Sequence, residues 1–285
     1  MGTHPADQDL PGNVVGRQPR RNGGLIGLFA LAAITEVRSG LRSVEFAVGA
    51  ITVPVLLYAM FGLPNAASLL PAGTRVALAM LVSICAYGVV SLAIFTFGED
   101  VAKERGRGWT RTLRATPFPT GVYLAAKTAS ALVHAAMIVV AVFALAATAG
   151  GVRMPALSWL ALAVVMLAGV LLFSTLGFAI AFLVRPRAAT VIANLIFLPL
   201  AFVSGFFVPL GELPSVLRDI AQYLPTYHFG QLAYRTVMPI EDVEYWTGAA
   251  VDATWVNVVW VFGSAVVLGA VALLAARREA VTRRG

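Results

Sequence analysis

The sequence predicts an all-α integral membrane protein with six transmembrane helices, an N-terminal amphipathic interfacial helix, and a re-entrant helical segment between helices five and six. Three observations carry that fold class. Hydrophobic residues fill 59% of the 285 positions and charged residues only 12%, with a mean hydropathy of +0.83, well beyond what the core of a soluble domain requires. Uncharged runs cover residues 46–74, 76–98, 128–152, 154–184, 188–211 and 253–276, each at or above the roughly 20 residues a helix needs to cross the hydrocarbon. These runs are continuously apolar rather than alternating. That excludes the pattern of a β-barrel and leaves helices as the way to satisfy every backbone amide in lipid.

Residues 1–24 are polar and carry Pro and Gly without an apolar core; they read as a disordered cytosolic tail and lack the apolar centre of a signal peptide. Next, Leu28, Leu31, Ile34, Val37, Leu41 and Val44 recur at three- and four-residue steps, with Glu36, Arg38, Ser39, Arg42 and Ser43 on the other face. That spacing predicts a helix over 27–45 lying flat in the headgroup region. As an extension of the first span it would carry three charges into lipid.

After the first two spans, the stretch 98–119, GEDVAKERGRGWTRTLRATPFP, holds eight charged residues in 22 positions. Asp100 to Glu104 and Thr110 to Arg114 can form helical turns, separated by Gly106 and Gly108 and stopped by Pro117 and Pro119. A solvated loop between spans explains its five basic residues. It does not explain the acids Glu99, Asp100 and Glu104, or the apolar Trp109 and Leu113. Mixed charge around an apolar anchor is the composition of a protein docking surface.

Between spans five and six, Pro209, Gly211, Pro214 and Pro225 interrupt the chain, and Leu213, Val216, Leu217, Ile220, Ala221 and Leu224 keep helical spacing between them. A second helix is expected from Phe229 through Val237, before the acidic Glu241, Asp242 and Glu244. The whole of 209–237 is expected to re-enter the outer leaflet and pack on the bundle or cap a cavity. Residues 279–285 form a short cytosolic tail.

Lys and Arg favour the cytoplasmic side in short loops. With the N-terminus inside, 16 of the 21 basic residues fall on that side, and Lys127 lies near a boundary. Both termini should therefore face the cytosol. The net charge of +7 reads as topology and contact with anionic lipid headgroups, with no nucleic-acid partner. Two Lys against 19 Arg, with abundant Ala, Val and Gly, is the codon bias of a GC-rich bacterial genome, which points to the bacterial cytoplasmic membrane.

Enzyme chemistry finds little to work with. No HExxH, GxSxG or paired Asp lies in any span, so a membrane-embedded hydrolase is disfavoured. An ATP-independent carrier or channel would bury acidic or paired charges along its path. No GxxxxGK[ST] loop occurs, so no nucleotide is held by this chain in the manner of a P-loop. Cys85 reads as a small core residue, His134 as a neutral imidazole bonded to a neighbouring helix, and His228 as a packing or headgroup residue.

Three features together resemble the permeases of the type-2 ATP-binding-cassette (ABC) exporter family: the amphipathic helix before span one, the KERGRGWTRTLRATP loop, and NLIFLPLAFVSGFFVPLGELPSVLRDIAQYLPTYHFGQLAYR. The resemblance covers residues 25–278. It implies that 98–119 is a coupling helix seated in a separate ATPase subunit, with Glu99, Asp100, Glu104, Arg105, Trp109, Thr110 and Leu113 as its ATPase-coupling residues. Glu99, Glu104 and Arg105 would form a hinge to span two, held by buried acid–base pairs. Trp109 between Gly108 and Thr110 departs from the family pattern, which puts the register of the docking turns in question.

The same resemblance implies two copies of the ATPase, which would bind the ATP and Mg, so that this chain itself holds no cofactor and no metal. It also implies a second permease copy, most simply as a homodimer, with spans two and five at the interface. The substrate pathway would then run past Asn194, Phe197, Phe202, Ser204 and Phe206, with Phe207 beside them, an aromatic lining suited to a hydrophobic or amphipathic compound. Drug or antibiotic efflux is the function this favours; export of a lipid-linked polysaccharide or glycolipid is the alternative.

Overall fold

The computed structural model describes residues 24–42, 47–108, 115 and 118–282, and the described chain is helical with no β-strand beyond one isolated bridge, Leu69 to Arg75. Helix α1 spans Leu25–Arg42 and buries no residue. Its apolar Leu31, Ile34 and Leu41 face outward, while Glu36 turns inward toward Lys127. A π-helical turn, Ala47–Thr52, leads into α2, Val53–Phe61.

Here the structure departs from the expected first span. Residues 47–74 do not form one long helix; the apolar helical stretch is Gly49–Phe61, and among the described residues five helices are long and apolar enough to cross a membrane. The cause is local chemistry. Gly62 caps α2, and Asn65 donates its amide back to the Phe61 carbonyl at 2.9 Å, satisfying an orphan helix-end carbonyl. Turns through Pro64 and Gly73 then carry the chain to α3.

Helix α3, Val76–Ile94, continues through a π-helical segment, Phe95–Asp100, into α4, Val101–Gly106. Of its most apolar window, 83% is buried inside the chain, so α3 is the axis of the bundle. Small residues let its neighbours approach closely. A Cβ at Gly88 would come within 2.8 Å of Ile138 and 3.1 Å of Pro54, and one at Gly177 within 2.8 Å of the Ala93 carbonyl. The surrounding helices are α5, Thr120–Thr148, and α6, Ala156–Leu183. A short 3₁₀ turn, Pro186–Ala188, then opens α7, Ala189–Val203.

The expected helices of 209–237 are present. They are a 3₁₀ turn, Leu210–Glu212; α8, Ser215–Ala221; and α9, Pro225–Arg235. Pro225, read from sequence as a breaker, instead opens α9, where its missing N–H costs nothing and its fixed φ suits the helix. Helix α10, Ile240–Thr247, and α11, Thr254–Thr282, complete the chain. Helix α11 packs against α6 and α9, and only 11% of its most apolar window is buried.

The cap at this end is held by polar bonds. Trp246 donates to the Tyr234 hydroxyl at 3.1 Å, Tyr234 and the Ser83 hydroxyl lie 2.6 Å apart, and Ser83 donates on to the Ala79 carbonyl at 3.1 Å. Burial pushes the Tyr234 phenol up to about 12, so it stays neutral. Asp242, fully buried, accepts from the backbone amides of Ala72 at 2.7 Å and Thr74 at 2.9 Å. The acidic segment after α9 thus supplies the clamp for the turns after α2.

Candidate functional site

At the end of the bundle opposite that cap, the last turn of the π-helical segment and α4 form a node of charged contacts. Glu104 accepts a hydrogen bond from Lys127 of α5 at 2.8 Å, and its second oxygen accepts from the Tyr123 hydroxyl. Lys127 is almost wholly buried and also faces Glu36 of α1 at 3.6 Å. Asp100 lies within electrostatic reach of the same ammonium. A lysine this deep needs such partners, because stripping an ammonium of water costs several kcal/mol.

The adjacent Arg105 points the other way. It is buried, donates to the carbonyls of Phe182 at 3.2 Å and Val184 at 2.6 Å, and lies 5.8 Å from the Phe182 ring centroid. Those carbonyls end α6. A cation there satisfies groups with no intrahelical partner and complements the helix dipole. Glu99 accepts from Thr190 of α7 at 2.8 Å and pairs with Lys103 one turn on at 2.5 Å. Gly106 lies on the α6–α7 turn so closely that a Cβ would fall 2.8 Å from Pro186.

Residues 99–106 therefore grip α5, α6 and α7 through different side chains, and reach α1 through Lys127. Four of the expected coupling residues, Glu99, Asp100, Glu104 and Arg105, are brought into this node. Trp109, Thr110 and Leu113 lie outside the described residues. Tyr123 and Lys127 were not legible as members, because their roles depend on α5 crossing α4 at one particular height.

The expected pathway residues do not share one surface. Asn194 and Phe202 are exposed, while Phe197, Ser204 and Phe206 are buried in the chain's own core. Asn194 donates to the Thr190 carbonyl of its own helix at 2.9 Å. Ser204 sits 2.5 Å from the Thr226 hydroxyl. What forms instead is an aromatic seam between α3 and α7. Phe197 packs on Tyr87 at 5.2 Å and Phe95 at 5.7 Å, and Phe207 on Tyr87 at 5.0 Å and Phe202 at 5.9 Å. Tyr87 and Phe95 escaped sequence reading, though with Ser91 between them they recur at four-residue steps and are only part-buried along an otherwise buried helix.

Residues 65–274 match the family model described as an ABC-2 family transporter protein. This chain belongs to the ABC-2 transporter family. A curated protein of Bacillus subtilis (strain 168), named "Putative transport permease YvfS", is 28% identical over 206 residues, covering 72% of this chain and 83% of that protein. An ABC-2 permease is a multi-pass membrane protein, and membership implies an ABC ATPase as its partner. The matched range takes in the 99–106 node, the seam and the cap. It leaves α1 outside.

Two histidines of this ABC-2 permease also find their places. His134 of α5 packs on α1 at Gly40, where a Cβ would fall 2.5 Å from the imidazole, and lies 3.5 Å from the Ser130 hydroxyl. His228 is buried rather than at a headgroup surface. Its ring nitrogens lie 2.7 Å from Asn257 Oδ1 and 2.8 Å from the Gln222 carbonyl, and it stacks on Trp260 at 5.1 Å.

Proposed function

We propose that this ABC-2 permease is the transmembrane subunit of an ATP-driven exporter that moves a hydrophobic or amphipathic compound, of the drug or antibiotic efflux kind, across a bacterial cytoplasmic membrane. A separate ABC ATPase, in two copies binding ATP and Mg, is the engine, and a second copy of the permease completes the path. Six crossings, the first made by the residues from 47 to 75, put both termini in the cytosol. Helix α1 lies at the cytosolic interface, and α8 and α9 form a re-entrant outer cap.

One observation carries the reading. The charged segment 99–106 holds α5, α6 and α7 through three separate side chains, so a push on it is distributed to several helices at once. That is the property a mechanical joint requires, and a solvated loop lacks it. The exposed stripe of α7, which includes Val191, Leu195, Leu198 and Phe202, with the seam behind it, supports an amphipathic cargo between two copies.

The test is reconstitution of the permease with an ABC ATPase that co-purifies with it. ATP-dependent export of a fluorescent amphiphile from proteoliposomes is expected, together with ATP hydrolysis that depends on the permease. Replacing Glu104 and Arg105 by Ala should abolish export while membrane insertion persists. Export by the permease alone, or normal export by the double variant, overturns the assignment; export of a lipid-linked sugar but no amphiphile overturns only the cargo.

A further inference from the structure

Lys127 holds two carboxylates from two different helices on one ammonium. Glu104 of α4 lies at 2.8 Å and Glu36 of α1 at 3.6 Å. The pair with Glu104 is the tight one. Tyr123 fixes the other oxygen of Glu104 and Asp100 adds negative charge nearby. Glu36 is the looser partner, with 32% of its side chain exposed.

Helix α1 lies along α5 and packs closely on it, yet none of its residues is fully buried; its register on α5 is marked by Glu36 at Lys127 and by Gly40 against His134. Elements with few buried contacts are the ones that open at low free-energy cost. The lysine stem is flexible enough to swing its ammonium between acids. A buried ammonium that loses one acid is driven to the other, because standing alone costs several kcal/mol.

We propose that Lys127 is a positioning residue shared by competing acids, so that withdrawing Glu104 tightens α1 on the bundle and returning it loosens α1. This rests on the reading of 99–106 as the moving joint, and it adds α1, which lies outside the family-matched residues, to the parts that joint controls. The apolar Leu31 and Ile34 on its outward face would carry the change to the lipid.

Hydrogen exchange of the full chain in phosphatidylethanolamine–phosphatidylglycerol nanodiscs tests this without ATPase or cargo, so its failure is separate from failure of the transport reading. Amides of α1 are read against those of α6 as internal reference. Glu36→Gln should speed α1 exchange about threefold, the scale of a partly exposed ion pair. Glu104→Gln should slow it by about as much, although the bonds of Glu104 go to Tyr123 and Lys127 of α5, and should have no effect in the Glu36→Gln background.

Lys127→Met should release α1, and Lys127→Arg should hold it. Should Glu104→Gln not fold, Tyr123→Phe, which loosens the same carboxylate, must slow α1 in the same sense. Exchange in α1 that is unchanged or faster in Glu104→Gln, slowing that persists in the Glu36→Gln background, or release by Lys127→Arg equal to that by Lys127→Met overturns the proposal.

Discussion

Glu104 and Arg105 are neighbours in the chain that bind two different helices: the carboxylate takes Lys127 of α5 at 2.8 Å, and the guanidinium takes the Phe182 and Val184 carbonyls at the end of α6. On a helix, adjacent side chains project about 100° apart. The pair therefore fixes α4 both in height and in rotation.

Arg105→Lys should fail to restore what Arg105→Ala removes. An ammonium is a single point and cannot reach two carbonyls with the guanidinium's planar fork. Losing a charged, buried donor leaves helix-end carbonyls unpaired and should cost about 1–3 kcal/mol. Thermal unfolding in detergent should show both variants destabilised, with export lost in both; wild-type export by Arg105→Lys would show that charge alone suffices.

Asp242→Asn tests the opposite end. The buried carboxylate accepts from two backbone amides, Ala72 and Thr74, and an asparagine offers one oxygen and one NH₂ group in its place. One of the two amides must then face a donor, at a cost of about 1–3 kcal/mol. The expected result is loss of hydrogen-exchange protection at residue 72 or 74, with exchange across α5 unchanged.

How much of this could be read beforehand depends on whether the cause was local. The long spans were legible because an apolar run of sufficient length has one stable form in lipid. The first apolar run was legible as composition but not in its interruption, since Gly62, Pro64 and Asn65 end α2 early. The acids of the node were legible as excess charge beyond what topology needs, and Arg105 only through the family resemblance of its loop. Their partners Tyr123 and Lys127 were not, since nothing in the sequence says which turn of α5 meets α4. For the same reason Phe197 and Phe206 looked alike along the fifth run, and only the folded chain shows both buried while Phe202 is left open.

Gly177→Ala should be among the most disruptive single-methyl changes in the bundle. The new Cβ would lie 2.8 Å from the Ala93 carbonyl and 3.0 Å from the Gly98 nitrogen, and backbone cannot swing aside as a side chain can. Overpacking of this kind costs about 1–3 kcal/mol. Because the clash falls at the π-helical segment just before the node, the expected outcome is a lowered unfolding temperature together with weakened permease-dependent ATP hydrolysis. Gly263→Ala, which meets nothing within 4 Å, is the control and should behave as wild type.

Phe197 and Phe202 separate packing from passage. Phe197 is 3% exposed and closes the seam on Tyr87 and Phe95, so Phe197→Ala should leave a cavity and cost about 3–5 kcal/mol. Phe202 is 45% exposed on the outer stripe of α7, so Phe202→Ala should leave the unfolding temperature nearly unchanged. If that stripe lines the path between two copies, Phe202→Ala should alter which amphiphiles are exported and at what concentration export is half-maximal, whereas Phe197→Ala restored to folding at lower temperature should not change that preference. Identical cargo preference in wild type and Phe202→Ala, measured in the same proteoliposomes, would place the path elsewhere and leave α7 as a lipid-facing wall.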